Sequence, residues 1–159
     1  MIVVSDTSPI TNLAAIGQLD LLRQLYQQVI IPEAVFQELT TLGGRHPGAI
    51  VQHLAWVETR AVVNRNVVKA LRAELDEGEA EAITLAQELS ADVLLMDERL
   101  GRAAAARFSL KVVGILGVLI EAKHQRLIQE VKPLVEALMG LGFRISPNLY
   151  RQVLLTAGE

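Results

Sequence analysis

Ile2-Val3-Val4-Ser5-Asp6-Thr7-Ser8-Pro9 is a short apolar run that stops at an aspartate and leads into a proline. Val93-Leu94-Leu95-Met96-Asp97 repeats the pattern far along the chain. Runs this short and this apolar suit strands buried on both faces, as in parallel sheets. After the first run, Thr7 or Ser8 suits the N-cap of a helix with Pro9 at its first position, reaching Ile16. Strand, acid and helix follow one another, and each strand hands a carboxylate to the turn beyond it.

Working outward, Leu19 to Gln27 reads as a second short helix and Val29-Ile30-Ile31 as a strand. Pro32 opens a helix that ends near Gly43. Ala49 to Leu54 suits a short helix and Val57 to Val62 an edge strand. Val67 to Leu75, Gly78 to Ser90 and Leu100 to Phe108 read as helices, and Leu110 to Val113 as a strand. From Ile115 onward the chain is mostly helical, with breaks near Pro133, Gly140 and Pro147. This alternation predicts an α/β protein with a three-layer α/β/α arrangement and a central, mostly parallel sheet of four to five strands. Gly43-Gly44-Arg45-His46-Pro47-Gly48 reads as a loop rather than a linker, so residues 1–159 are expected to form one domain.

The composition narrows the chemistry. Half of the 159 residues are hydrophobic, enough for a substantial core. With no cysteine, disulfides, thiolate zinc sites and cysteine nucleophiles are excluded. The longest uncharged apolar run, Val112 to Ile120, is too short to span a bilayer. The first residues lack the pattern of a signal peptide, and a cytoplasmic location is expected. A net charge of −3 does not advertise a nucleic-acid binder. Basic patches at Arg99, Arg102 and Arg107, and at Lys111, Lys123, His124 and Arg126, are candidates for contact, or an ordinary mixed surface.

Four acids stand out. Asp6 and Asp97 each follow a strand, at the carboxyl ends where parallel sheets bind ligands. Asp6 also suits a turn residue and Asp97 a helix cap. Glu38 falls beside the stripe Val35, Leu39 and Leu42, while Glu33 points away. Glu79 shares the face of Ile83 and Ala86, with Glu81 and Glu88 directed to solvent. Asp76 with Glu79 also forms a capping-box pattern. Carboxylates brought together repel one another, and a divalent cation offsets that repulsion. An oxygen-only set suits Mg2+ or Mn2+. His46, His53 and His124 lack zinc-site spacing and read as surface or loop residues.

These residues carry a resemblance. Asp6-Thr7-Ser8-Pro9 resembles the opening of PIN domains, and Val35-Phe36-Gln37-Glu38-Leu39 is similar to their second acidic motif. Gly78-Glu79-Ala80-Glu81-Ala82-Ile83 resembles the third, and Leu95-Met96-Asp97-Glu98-Arg99 the fourth. Two further segments look like those of a toxin-like (VapC-like) prokaryotic subgroup: residues 112–123, Val-Val-Gly-Ile-Leu-Gly-Val-Leu-Ile-Glu-Ala-Lys, and the ending Gly142-Phe143-Arg144-Ile145-Ser146.

The resemblance implies a parallel sheet flanked by helices and metal-dependent cleavage of RNA. It also implies the toxin of a toxin–antitoxin pair, often dimeric and silenced by a small antitoxin protein. The third acid is aspartate in much of the family, whereas Glu79 is one methylene longer, with Glu81 as an alternative. On this reading Asp6, Asp97 and Glu79 bind the metal, and Glu38 orients or deprotonates the attacking water. Ser8, also a candidate N-cap, and Asn12, equally a plain surface amide, are supporting candidates. Arg99 and Arg102 are candidates for substrate phosphates. The alternative is a non-catalytic PIN-like module that binds RNA or protein. A phosphatase of the haloacid dehalogenase type expects an aspartate where Ser8 stands, and a dinucleotide site needs a glycine-rich turn that is absent here.

Overall fold

The computed structural model describes residues 1–41 and 46–159. Strand β1 (Val3–Ser5) leads to helices α1 (Thr7–Ala15) and α2 (Asp20–Tyr26), then to β2 (Val29–Pro32) and α3 (Glu33–Thr40). A 3-10 helix (Pro47–His53) precedes β3 (Val57–Arg60), α4 (Arg65–Leu71) and α5 (Glu77–Glu88). The chain continues through β4 (Val93–Leu95), α6 (Arg99–Arg107), β5 (Val112–Val113), α7 (Ile115–His124), α8 (Lys132–Gly140) and α9 (Pro147–Thr156). Leu42 and the Gly43-Gly44-Arg45 part of the expected loop lie outside the described residues.

All five strands are parallel, in the order β3-β2-β1-β4-β5. The chain winds outward from β1 to β3, then returns to lay β4 against the other side of β1. The winding therefore reverses between β1 and β4, and such a reversal opens a crevice beyond the carboxyl ends of the two strands. Val3 pairs with Val93, Val4 with Leu94 and Ser5 with Leu95.

Alternation along the strands supplies two apolar faces. Val3, Val29, Ile31, Val93 and Leu95 pack with α1, α2, α7, α8 and α9. Val4, Ile30 and Leu94 face the other way, onto α4, α5 and α6. The result is the expected three-layer α/β/α arrangement. No helix among the described residues is long and apolar enough to cross a membrane.

Two local expectations need correction. The cap of α1 is Asp6, so Thr7 and Ser8 are the first two helical residues and Pro9 the third. Proline is accepted there because the donors of a first helical turn have no partner inside the helix. Glu81 does not face solvent. It is 4% exposed. Its Oε1 accepts the Ala34 N–H at 2.9 Å and its Oε2 accepts from Arg65 Nη1 at 2.7 Å. Helix α5 packs against α3, α4, α6 and the sheet, so residues Gly78 to Ala86 are all buried, and only Glu77 and the end from Gln87 are wet.

Glu81 thus serves α3 from a distance. Pro32, the N-cap residue of α3, makes no side-chain cap bond, and Glu81 takes the orphan donor of its first turn instead. The same carboxylate reaches Arg65 at the start of α4, so three helices meet on one side chain. Glu81→Ala leaves the Ala34 N–H without its partner, and a lost buried acceptor costs about 1–3 kcal/mol. The free energy of unfolding is expected to fall by that amount, read as a lower urea midpoint at unchanged slope. An unmoved midpoint would show that the contact is not holding α3.

Candidate active site

The crevice between β1 and β4 receives its acids from the turns beyond the strands and from the first turns of α5 and, a little further out, the body of α3. The Asp6 N–H donates to the Leu95 carbonyl at 2.9 Å, which continues the strand pairing by one step and brings the Asp6 and Asp97 segments side by side. Asp6 is 3% exposed. An N-cap carboxylate ordinarily accepts from the second or third helical N–H. Here the third residue is Pro9, which has no N–H, and Asp6 makes no side-chain cap bond. Of its own helix, only the first backbone N–H, that of Thr7, acts on the carboxylate.

Asp97 is held differently. Its Oδ1 accepts the Ile115 N–H at 2.9 Å, at the first residue of α7, where the helix dipole favours a negative charge. Its Oδ2 is buried and has no hydrogen-bond partner. Gly114 makes this fit possible: a Cβ there would stand 2.8 Å from Asp97 Oδ1 and 2.7 Å from Arg102 Nη1.

Glu79 closes a capping box. Its N–H donates to Asp76 Oδ1 at 2.8 Å, and its Oε1 accepts the Asp76 N–H at 3.2 Å. The capping and site readings of Glu79 are therefore compatible, because its other oxygen, Oε2, faces Gly101 and Met96 beneath the crevice. Glu38 is the most open of the four acids. Thr7 Oγ1 donates to Glu38 Oε2 at 2.6 Å, which ties α3 to the residue next to Asp6. A side chain on Gly78 would run into Glu38 Oε1, so that glycine lets α3 and α5 approach.

Protonation reports the crowding. Burial pushes the Asp6 carboxyl from 3.8 up to about 7; the Thr7 backbone bond opposes this, and the charges of Glu79, Asp76 and Glu38 add to it. Burial likewise lifts Glu79 from 4.5 to about 7, with Asp76 and Glu98 adding repulsion against the Asp76 N–H bond. Burial raises Glu38, opposed by the Thr7 hydroxyl. Asp97 is also raised by burial, with the Ile115 N–H and Arg102 pulling it down and Glu98 pushing it up. Asp6, Glu38, Glu79 and Asp76 thus repel as one group, with Asp97 adjoining through the paired strand ends.

Two residues of this network, Thr7 and Asp76, were not among the expected site residues. Asp76 was readable as a cap, and its repulsion of three site acids has no sequence signal beyond the acidic run Asp76-Glu77. Glu81 is no alternative to Glu79, since Ala34 and Arg65 occupy both its oxygens. Ser8 and Asn12 make no hydrogen bond to the four acids among the described residues. Arg99 and Arg102 line a cleft of about 680 Å³ that begins at Asp97. Of the other expected basic contacts, Arg107 pairs with Glu74 and Lys123 with Glu159. His46 caps the 3-10 helix by accepting the Gly48 N–H, His53 is exposed, and His124 is exposed beside the Thr156 carbonyl.

The donor set suits a hard divalent cation in its chemistry. It is oxygen-only, it holds a buried oxygen with no partner on Asp97, and it holds an Asp6 carboxylate with no cap to engage it. Among the described residues no three acids stand close enough together to enclose one ion. Glu79 and Glu38 each have one oxygen taken by a protein donor.

A doubly wound parallel sheet with acids gathered at its switch point is an α/β fold with a ligand crevice between β1 and β4. The family model DUF3368, a PIN domain, matches residues 2–159, and the chain belongs to this PIN-domain family. PIN domains are generally nucleases and typically use divalent metals. No curated protein matches the chain.

The raised carboxyls give a pH signature. Asp6 and Glu79 hold protons more tightly folded than unfolded. The stabilisation this gives is complete below about pH 4 and is lost as the pH rises through about 7. For Asp6 the shift corresponds to on the order of 4 kcal/mol, at about 1.4 kcal/mol per unit. Chelator-treated protein is therefore expected to resist urea better at pH 5 than at pH 8, and Asp6→Asn to remove much of the difference. Equal stability at both values in the wild type would mean that these acids are well solvated.

Proposed function

We propose that the protein is an endoribonuclease that hydrolyses RNA phosphodiester bonds with Mg2+ or Mn2+. The observation that carries this reading is the pair Asp6, buried, and Asp97, half-buried, at adjoining strand ends, with a buried and unpartnered oxygen on Asp97. Asp6, Asp97 and Glu79 would hold the cation. When bound it neutralises charge on the phosphoryl oxygens and makes water more acidic. Glu38 orients the attacking water and accepts its proton. Burial raises its carboxyl above the ordinary glutamate range, which makes it a stronger base. Thr7 holds the Glu38 carboxylate in place. Arg99 and Arg102 bind the phosphates of the substrate next to Asp97.

The likeness of residues 112–123 and 142–146 to the toxin-like subgroup supports a place in a toxin–antitoxin pair. On that reading the protein is a cytoplasmic homodimer restrained by a small antitoxin protein. One observation favours a second reading, a non-catalytic module that binds RNA or protein: no three of the acids stand within reach of one ion among the described residues.

A cleavage assay separates the two. Incubated with Mn2+ and a mixed pool of structured and unstructured RNAs, the wild type is expected to yield discrete internal fragments. Asp6→Asn and Asp97→Asn are each expected to lower the rate by about 100-fold or more, the scale of losing a preorganised electrostatic partner. Equal cleavage by wild type and both variants would end the catalytic reading.

A further inference from the structure

Helix α5 begins at the rim of the crevice, and its N-cap residue, Asp76, is exposed there. Two bonds tie Asp76 to Glu79. Asp76 Oδ1 accepts the Glu79 N–H at 2.8 Å, and the Asp76 N–H donates to Glu79 Oε1 at 3.2 Å. The Asp76 carbonyl accepts the Ala80 N–H at 3.0 Å, which begins the helix proper. Such a box ordinarily satisfies the orphan donors of a helix start. Here it also decides where one of the site acids can point.

A glutamate carboxyl sits at the end of several rotatable bonds, and a free one samples many positions. Glu79 lacks that freedom. Its Oε1 is taken by the Asp76 N–H, so Oε2 is the oxygen left over. That oxygen lies against α6, in space that Gly101 leaves open. A Cβ on Gly101 would stand 3.0 Å from Glu79 Oε2 and 2.5 Å from Met96 Sδ. Glu79 is 9% exposed, so little solvent competes for its seat. One oxygen fixed on a protein donor, with the other left over, is how a carboxylate is oriented toward a cation.

We infer that Asp76 is a positioning residue: by capping α5 it holds the Glu79 side chain so that Oε2 is the oxygen offered to a cation in the crevice. The inference rests on the reading of Glu79 as a cation ligand and adds the residue that aims it. Asp76 itself does not touch the ion. Its N–H and its Oδ1 both engage Glu79, and it acts through the seat they form. Loss of a residue that orients a ligand typically weakens metal binding by roughly 10–100-fold.

A matched pair of variants separates capping from charge. Asp76→Ser and Asp76→Ala both remove the carboxylate, but only serine keeps an acceptor for the Glu79 N–H. Mn2+ is titrated into the full chain without RNA, and the free ion is followed by electron paramagnetic resonance at a temperature where every variant is shown to be folded. Asp76→Ser is expected to bind Mn2+ about tenfold more tightly than Asp76→Ala. In a Glu79→Ala background the two should bind alike, because nothing is left to aim. Amide exchange in metal-free protein gives a second, cation-independent readout. The Asp76 N–H is expected to be protected in the wild type and to exchange about tenfold faster in Glu79→Ala, the scale of one lost hydrogen bond, while the Ala80 amide keeps its rate. Equal Mn2+ affinity within the matched pair, or a difference that persists without Glu79, would overturn the inference and leave the cation reading standing. An Asp76 amide indifferent to Glu79 would also overturn it. Protection that depends on Glu79 in a protein that binds no Mn2+ would confirm the seat and end the cation reading.

Discussion

Parallel pairing of β1 with β4 is the constraint on which the rest depends. It joins segments some ninety residues apart in sequence, Val3 with Val93 through Ser5 with Leu95, and it brings the Asp6 and Asp97 segments side by side. A shift of the pairing by one residue would turn the side chains of either strand to the opposite face. Val4 and Leu94 would leave their side of the core, and Ser5 and Leu95 would exchange surroundings with them. The two apolar layers therefore hold the register, and the register holds the acids. Glu81 extends the same control outward by tying the starts of α3 and α4 to α5, so that the helices bearing Glu38 and Glu79 cannot drift apart.

Burial of these carboxylates works against stability. Solvent is withheld from Asp6, Glu79 and Asp97, and repulsion within the group adds to the loss. A fold selected for stability alone would place apolar side chains at such positions. Several small details keep the arrangement open toward a ligand. Pro9 removes the N–H that would otherwise be available to cap Asp6, the glycines at 78, 101 and 114 leave no side chain to fill the crevice, and Asp97 keeps one oxygen without a partner. Local rules broken together in one place are the pattern expected of a functional site.

Much of this was legible in the sequence. The strands announced themselves by short apolar runs, and their acids by position immediately afterwards, because the location of a ligand site in a parallel sheet follows from topology. The inward aim of Glu79 followed from helical periodicity. The same periodicity failed two residues later at Glu81. An amphipathic reading assumes that a helix has one wet side, and α5 has none from Gly78 to Ala86. Proline favours the first helical position, which points to Ser8 as the cap of α1, but Asp6 begins the helix and Pro9 is its third residue. Thr7 gave no local sign of its bond to Glu38, a contact between residues 31 apart in the chain.

Asp6 and Asp97, at adjoining strand ends, are proposed to share one divalent cation. A crystal grown with Mn2+ and measured at the manganese absorption edge tests it most directly. The account predicts one strong anomalous peak in the crevice, with Asp6 and Asp97 Oδ2 both in contact with the ion. A crevice without a peak at saturating Mn2+, or an ion bound to one aspartate while the other keeps only protein partners, would contradict it.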